Sequence, residues 1–148
     1  MTLNDLDDLF QDIILDHYKN PRNKGKLETP DLHAEGDNPF CGDEIQFDIV
    51  LNNDHQVANV AFSGSGCYIS QASASILSEM IKGKSIEEIA NLVRLFRQMI
   101  HGENLSKTEI DTLGELQSLH GVTNFPIRIK CALLAPLILA DSINQFPS

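Results

Sequence analysis

The fold is decided by residues 44–67, which read EIQFDIVLNNDHQVANVAFSGSGC. Apolar and polar residues alternate from Ile45 to Leu51, and this period of two predicts a half-buried strand. Asn52-Asn53-Asp54 is typical of a turn, and a second strand is predicted from about Gln56 to Ser63. The side chains expected on its buried face are those of Ala58, Val60 and Phe62. Together the two strands predict an antiparallel hairpin.

The residues before the hairpin predict one helix and a long irregular connection. Asn4 is suited to cap a helix whose apolar side chains recur at helical spacing, and this helix is expected to end near Tyr18. Residues 19–40 contain three prolines and no sustained period. This favours an irregular connection with one short edge strand around Leu32 to Glu35.

The residues after the hairpin follow a helical pattern. A segment rich in Ser and Ala, from residue 68 to 82, predicts a helix that ends at Gly83. Ser85 to Glu88 has the sequence of a capping box and predicts the start of the next helix, whose core-facing side chains are Ile86, Ile89, Val93 and Phe96.

Two more helices are predicted further along. Ser106 to Glu109 is a second capping box, and its helix is expected to end before His120 with Ile110, Leu113 and Leu116 facing inward. The last helix should begin at Pro126, end near Asn144 and bend at Pro136. Because the strands come early and the helices late, we expect an α+β domain with its helices against one face of a small antiparallel sheet.

The composition excludes several classes of protein. A chain of 148 residues can bury a sizeable core in one domain without disulfides, and an odd count of three cysteines does not indicate a secreted disulfide framework. The opening residues, Met1 to Asp8, are polar and acidic, so we expect no signal peptide and a reducing, cytoplasmic location. The longest apolar run, Ala132 to Ala140, is too short to span a membrane, so no membrane partner is expected.

The charge is strongly acidic and unevenly spread. The formal net charge is −10, and residues 1–60 hold 13 of the 21 acidic side chains against only 4 of the 11 basic ones. Such a balance repels phosphate backbones, so nucleic acid is not expected as a partner. The exception is a basic patch formed by Lys19, Arg22, Lys24 and Lys26. Charge patterning favours a solvated loop there, and docking of a protein partner is the alternative hypothesis.

The three cysteines lie at positions that suggest chemistry. Cys67 follows Gly64-Ser65-Gly66 and precedes a predicted helix, where the positive end of the helix dipole favours the thiolate form. Cys41 and Asp43 are close enough in sequence to converge on one ion. Zinc accepts Cys, His and Asp ligands, so these residues are candidate metal ligands.

The residues alone leave other interpretations open. Cysteine is often simply buried, and Cys131 among apolar neighbours would pass as a helix core residue. The spacing of the cysteines matches no zinc-finger template. His17, on the apolar face of the first helix, is expected to be a core histidine with its hydrogen bonds satisfied.

Four motifs make the sequence resemble a known family. They are Tyr18–Asn23, Asn38–Asp43, Phe62–Cys67 and Arg128–Ala132, and they are similar to signatures of the IscU/NifU N-terminal iron–sulfur cluster assembly family, which contains IscU and SufU. The match spans almost the whole chain. It implies a three-stranded antiparallel sheet packed by about five helices, in one IscU/SufU-like domain covering residues 1–148.

The resemblance is closer to the SufU type and implies a site. Lys130 stands where IscU proteins carry a His, and the segment 95–121 resembles an insertion found in SufU proteins. On this basis Cys41, Asp43, Cys67 and Cys131 together bind zinc, and Arg128 lies beside the site as a catalytic residue. Cys41 is the catalytic thiol, released from the metal when a histidine of the partner takes its coordination position.

The same resemblance implies an activity and partners. Such proteins accept persulfide sulfur from a SufS-like, pyridoxal-phosphate-dependent cysteine desulfurase and pass it to downstream iron–sulfur assembly proteins, which is a sulfurtransferase-type activity. The alternative is a non-enzymatic scaffold on which the same four residues assemble a 2Fe–2S cluster for transfer to apo-proteins. A purely structural zinc domain and a metallohydrolase are further, less favoured hypotheses.

Overall fold

The computed structural model describes residues 3–38 and 42–146, with side chains from residue 10 onward. Cys41 lies outside the described residues. The helices are α1 (Leu3–Lys19), α2 (Tyr68–Ile81), α3 (Ile86–Ile100), α4 (Lys107–Leu113) and α5 (Pro126–Ile143), with a 3₁₀ segment at Gly114–Asn124. The strands are β1 (Leu32–Asn38), β2 (Asp43–Leu51) and β3 (Val57–Ser65).

The three strands form an antiparallel meander in the order β1-β2-β3. The predicted α+β class, with a three-stranded sheet and five α-helices, is confirmed. The predicted edge strand extends to Asn38, because its pairing with β2 continues as far as Asn38 opposite Asp43. Asp43 therefore lies at the start of β2, directly after the β1–β2 connection and next to the last residues of β3.

The predicted buried face of β3 is wrong at one residue, Ala58. The register shifts between Val50, which pairs with Asn59, and Leu51, which pairs with Val57, so Ala58 is the extra residue of a β-bulge. As a result Ala58 is exposed and Val57 is buried in its place. Val60 and Phe62 are buried as predicted.

Both predicted capping boxes are formed, but the helix after the second one is shorter than expected. Ser106 and Glu109 exchange their hydrogen bonds at the start of α4. That helix ends at Leu113 because Gly114 adopts φ +52°, and the chain continues as the 3₁₀ segment. Ile110, predicted to face inward, is exposed, whereas Leu113 and Leu116 are buried.

Helix α5 is the central element of the core. It begins at Pro126 as predicted and runs through the buried Pro136 to Ile143. It packs on β1, where Gly36 makes room for it: a Cβ at Gly36 would lie 3.2 Å from the side chain of Ile138. No helix in the described part of the chain combines the length and the apolar character that a membrane span requires.

The predicted basic patch is partly neutralised by its own surroundings. The Arg22 guanidinium forms ion pairs with Asp16, at 2.5 Å, and Glu79, at 3.2 Å. The Lys24 ammonium donates a hydrogen bond to the Gln71 side chain and lies 5.5 Å from the centre of the Phe62 ring. These contacts tie the 20–26 loop to α1, α2 and β3 instead of leaving its cations wholly solvated.

His33 on the outer face of the sheet should make stability depend on pH. Its Nδ1 lies 2.5 Å from Asp48 Oδ1, and this hydrogen bond raises the pKa of His33, with a smaller contribution from Glu35 and an opposing one from burial. A raised pKa means that the charged pair stabilises the fold fully below pH ~6.5 and loses its effect as pH rises through the folded-state pKa. We expect His33→Gln to lower the free energy of unfolding more in acid than in alkali, as measured by urea denaturation at both pH values.

His17 should affect stability with a pH dependence opposite to that of His33. Its ring is buried and lies 2.8 Å from Ser75 Oγ, as predicted for a satisfied core histidine, and burial chiefly lowers its pKa. Its contribution to stability should therefore fall as pH drops below ~6.5.

A His33→Gln effect that is equal at both pH values would contradict the assigned role of the Asp48 pair.

Candidate metal centre

Three side chains with metal-binding donor atoms meet at one end of the sheet. Asp43 begins β2, Cys67 caps the N-terminus of α2, and Cys131 lies in the second turn of α5. One donor atom from each side chain lies within 4.8 Å of the other two. Among the residues that the structure describes, this is the one group of three or more such side chains found.

Asp43 is fully buried and its two carboxylate oxygens have different surroundings. Oδ1 accepts a hydrogen bond of 2.8 Å from the backbone N–H of Cys67. Oδ2 lies 4.0 Å from Cys67 Sγ. One oxygen therefore holds the carboxylate against the start of α2, while the other is directed towards the sulfur.

Gly66 makes this arrangement possible. It adopts φ +149°, and a Cβ built there would lie 2.3 Å from Asp43 Oδ1. Any larger residue would be strained and would push the carboxylate away from Cys67. Sequence reasoning quoted Gly66 only as part of a motif; the signal that it cradles a buried acid comes from the three-dimensional contact.

Cys67 is held by its position at the helix start. Its backbone is extended, with φ −70° and ψ 164°, and its side chain makes no capping hydrogen bond to α2. The sulfur is therefore free of the helix backbone at the positive end of the helix dipole. Ser70, fully buried, places its hydroxyl oxygen 3.9 Å from Cys67 Sγ. Sequence reasoning did not single out Ser70.

Cys131 completes the group from another helix, α5. It is 3 % exposed, so it belongs to the core as well as to the site. Its Sγ lies 3.8 Å from the carbonyl oxygen of Ile127, one turn earlier in α5. The packing of α5 against α2 therefore fixes how far this sulfur lies from Cys67.

The donor set fits zinc. With Zn–S bonds of about 2.3 Å, a tetrahedral ion spaces its sulfur ligands about 3.8 Å apart. The donors of Asp43, Cys67 and Cys131 lie within 4.8 Å of one another, which exceeds that spacing by at most about 1 Å. Two soft thiolates and one carboxylate are ligands that zinc accepts together.

Arg128, predicted beside the site, lies one turn before Cys131. Its guanidinium carbon is 5.0 Å from the centre of the ring of Tyr68, and Tyr68 directly follows Cys67 in sequence. Both side chains line a groove of about 590 Å³ between α1, the 3₁₀ segment and the start of α5. The rim carries exposed apolar side chains, Phe125 at 58 % and, on the adjoining turn, Ile127 at 76 %.

Comparisons with known proteins agree with these features. The family described as the NifU-like N-terminal domain matches residues 9–132. The chain is similar to "Zinc-dependent sulfurtransferase SufU" of Bacillus subtilis (strain 168), at 45 % identity over 88 % of this chain and 86 % of the relative. It is also similar to "Iron-sulfur cluster assembly scaffold protein IscU" of Streptococcus pyogenes serotype M1, at 38 % identity over 98 % of this chain and 89 % of the relative.

A solved structure shares the fold. It is the crystal structure of a candidate iron–sulfur cluster assembly scaffold protein for the SUF system from Fervidobacterium islandicum AW-1. The TM-score is 0.83 at 31 % sequence identity, covering 88 % of this chain and 93 % of that one. The order of elements that brings Asp43, Cys67 and Cys131 together is thus the architecture of a solved protein.

Proposed function

The chain belongs to the NifU-like N-terminal domain family, and from that premise we propose that it is a zinc-dependent sulfur acceptor. It takes persulfide sulfur from a pyridoxal-phosphate-dependent cysteine desulfurase and passes it to iron–sulfur cluster assembly. The observation that carries this proposal is the convergence of Asp43, Cys67 and Cys131 within 4.8 Å. The 45 % identical relative that is named a zinc-dependent sulfurtransferase supports it.

We assign four ligands to the metal: Cys41, Asp43, Cys67 and Cys131. Cys41 lies outside the described residues, but it stands two residues before Asp43 in sequence, and two residues span at most about 7 Å. Cys41 can thus supply the fourth donor that a tetrahedral site needs. Bound zinc would keep the thiols ionised and protected from oxidation.

The transfer step is assigned to the Cys41 thiolate. It attacks the outer sulfur of the donor's persulfide, so a sulfur–sulfur bond forms on Cys41 as the donor's sulfur–sulfur bond breaks. The donor cysteine leaves as a thiolate, and the exchange needs no external oxidant or reductant. The positive charge of Arg128, one turn before Cys131, is suited to stabilise the thiolates that form near the site.

Cys41 is favoured over the other two thiols by their surroundings. Cys131 is 3 % exposed in the middle of the α2–α5 packing. Cys67 is held between the Asp43 carboxylate and the Ser70 hydroxyl. A thiol that must meet a partner's persulfide needs access, and in sequence Cys41 stands between the last residue of β1 and the first residue of β2.

The groove beside the site supports a protein partner. It lies next to Arg128 and Tyr68 and is bordered by the exposed Phe125. Aromatic and Arg side chains are enriched where protein interfaces bury their centre. We assign this surface to the desulfurase, because a donor persulfide has to come within bonding distance of the metal site.

Replacing the proposed acceptor thiol should abolish sulfur transfer. We expect Cys41→Ala to reduce sulfur loading to the background of the assay, because Cys131 is buried and Cys67 is held between Asp43 and Ser70. The measurement is mass spectrometry of the protein after incubation with a cysteine desulfurase and cysteine, where one added sulfur atom marks the persulfide. Stimulation of the desulfurase is followed in the same samples.

The control separates chemistry from folding. Ser63→Ala removes a small polar side chain of β3 whose hydroxyl contacts Gln46 at 3.4 Å, and it should load sulfur as the wild type does. Elemental analysis of each variant reports the metal content. Normal persulfide formation and normal desulfurase stimulation by Cys41→Ala would refute the assignment.

A scaffold for a 2Fe–2S cluster is the second candidate. The observation in its favour is the 38 % identical relative named an iron–sulfur scaffold, which aligns with 98 % of this chain. Cysteine thiolates are the usual cluster ligands, so the same donors would serve. Anaerobic reconstitution discriminates: a stable chromophore that passes to an apo-acceptor favours the scaffold, and tight zinc with rapid persulfide turnover favours the transferase.

A further inference from the structure

A chain of polar side chains leads from the basic loop to Cys67. The Lys24 ammonium donates to Gln71 Oε1 at 3.3 Å, and Gln71 Nε2 donates to Ser70 Oγ at 3.4 Å. Ser70 Oγ in turn lies 3.9 Å from Cys67 Sγ. Neither the predicted basic patch nor the predicted ligand set accounts for this connection.

The lysine at its head fixes the direction of the two hydrogen bonds that the Gln71 side chain makes. An ammonium can only donate, so the Gln71 oxygen must accept and the Gln71 amide is turned towards Ser70 as a donor. Ser70 Oγ then accepts from Gln71, and its single proton remains for a further acceptor. The donors of Lys24 and Gln71 therefore point away from the basic loop and towards Ser70, the neighbour of Cys67.

The surroundings strengthen these hydrogen bonds. Ser70 is 0 % exposed and Gln71 is 5 % exposed. Lys24 itself lies at the surface, with its ammonium near the Phe62 ring. Hydrogen bonds that share one direction in a poorly solvated interior polarise one another. The positive charge of the Lys24 ammonium therefore makes the Ser70 hydroxyl a stronger hydrogen-bond donor to the sulfur.

The Ser70 proton has two possible acceptors at Cys67. When Cys67 is a thiol, its sulfur donates to Ser70 Oγ at 3.9 Å and the Ser70 hydroxyl donates to the Cys67 carbonyl oxygen at 3.1 Å. A thiolate sulfur carries the charge that makes a hydrogen bond stronger than one to a neutral carbonyl. Rotation of the hydroxyl directs the same proton to the sulfur once Cys67 is ionised by a metal.

We infer that Lys24, Gln71 and Ser70 form a directional hydrogen-bond chain that lowers the nucleophilicity of the Cys67 thiolate and keeps it bound in the metal site. This inference rests on the proposed function, in which one thiol accepts sulfur while the others stay bound. The three residues act as positioning residues through Cys67. Donation to the sulfur lowers its electron density, so the chain directs sulfur acceptance away from Cys67.

The test compares two buried serines of the same helix in the cobalt(II)-loaded protein. Ser70→Ala removes the hydroxyl that faces Cys67. Ser73→Ala removes an equally buried hydroxyl that lies 3.2 Å from the Ala132 carbonyl oxygen, and it is the matched control. Two readouts are followed: the thiolate-to-cobalt charge-transfer band, and the order in which iodoacetamide alkylates the three cysteines, read by peptide mass spectrometry.

We expect Ser70→Ala to shift the charge-transfer band to lower energy and to speed alkylation of Cys67 by about 10-fold, the lower end of the effect of losing an outer partner of a metal ligand. Gln71→Leu should act in the same direction. Lys24→Met, at an exposed position, should do so more weakly and lose its effect in high salt. Ser73→Ala should match the wild type in both readouts.

The outcomes are distinguishable from failure of the proposed function. If Ser70→Ala and Ser73→Ala give the same band and the same order of alkylation, the inference is overturned. If Lys24→Met has no effect at low salt, the lysine is not the head of the chain. A wild-type protein with no thiolate-to-cobalt band would instead refute the metal site itself.

Discussion

Asp43→Asn should lower zinc affinity at least about 100-fold while leaving the fold intact. The amide keeps an oxygen that can accept the Cys67 N–H, now bonded to Asp43 Oδ1 at 2.8 Å. It loses the negative charge of the oxygen that we propose as a zinc ligand, and even partners outside a ligand set are worth 10- to 100-fold in affinity. The measurement is competition for zinc against a colorimetric chelator.

Asp43→Ala should add a second loss. It leaves the Cys67 N–H without its acceptor in a buried site, which costs about 1–3 kcal/mol of stability. Urea denaturation of the zinc-free variants measures this difference between the alanine and asparagine replacements. The two variants would thus separate the contribution of Asp43 to zinc affinity from its contribution to the stability of the fold.

Asp48→Asn is the matched control, since Asp48 is a buried acid on the opposite face of the same strand. It should leave zinc affinity unchanged, although it breaks the pair with His33. Equal loss of zinc in Asp48→Asn and Asp43→Asn would show that the effect is a general disturbance of β2. Wild-type affinity in Asp43→Asn would remove Asp43 from the ligand set.

Gly64→Ala should be the most destabilising single methyl added to this sheet. Gly64 adopts φ +134°, and a Cβ there would lie 2.0 Å from the carbonyl oxygen of Glu44 on the paired strand. Backbone cannot move aside as a side chain can, so β2 and β3 would have to separate at the end that carries Asp43. We expect a loss of at least about 3 kcal/mol, measured by thermal or urea denaturation.

Gly25→Ala measures the cost of backbone strain in the absence of a steric clash. Gly25 has φ +147°, and a Cβ built there meets nothing within 4 Å. Its replacement should cost only the strain of the unusual φ, about 1 kcal/mol. If the two alanine variants lose the same stability, the close approach between Gly64 and Glu44 is not what requires the glycine.

Local patterns predicted most of the elements. Alternation identified the hairpin, and the two capping boxes marked the starts of α3 and α4, where the structure has both. These signals succeed because each depends on residues within about one turn or one strand. The errors came at two irregularities: the bulge at Ala58, which pairing with β2 decides, and the end of α4, which the positive φ of Gly114 sets.

Ile110 illustrates why spacing alone fails. Its distance of three residues from Leu113 is right for one face of a helix, and Leu113 is buried. However, α4 stops there and the chain continues as 3₁₀, so Ile110 has no further turn to pack with and remains 39 % exposed. Helical periodicity records which residues share a face, and not how much of that face another element covers.

By itself the sequence determined the α+β class, the element order, the donor types and the resemblance that proposed Cys41, Asp43, Cys67 and Cys131 as a set. Tertiary structure alone decided how the three described donors meet, that Gly66 cradles the Asp43 carboxylate, and that Lys24 reaches Cys67 through Gln71 and Ser70. The physical reason is range. Local propensities relate residues a few positions apart, whereas the site is made by packing α2 and α5 against the end of the sheet.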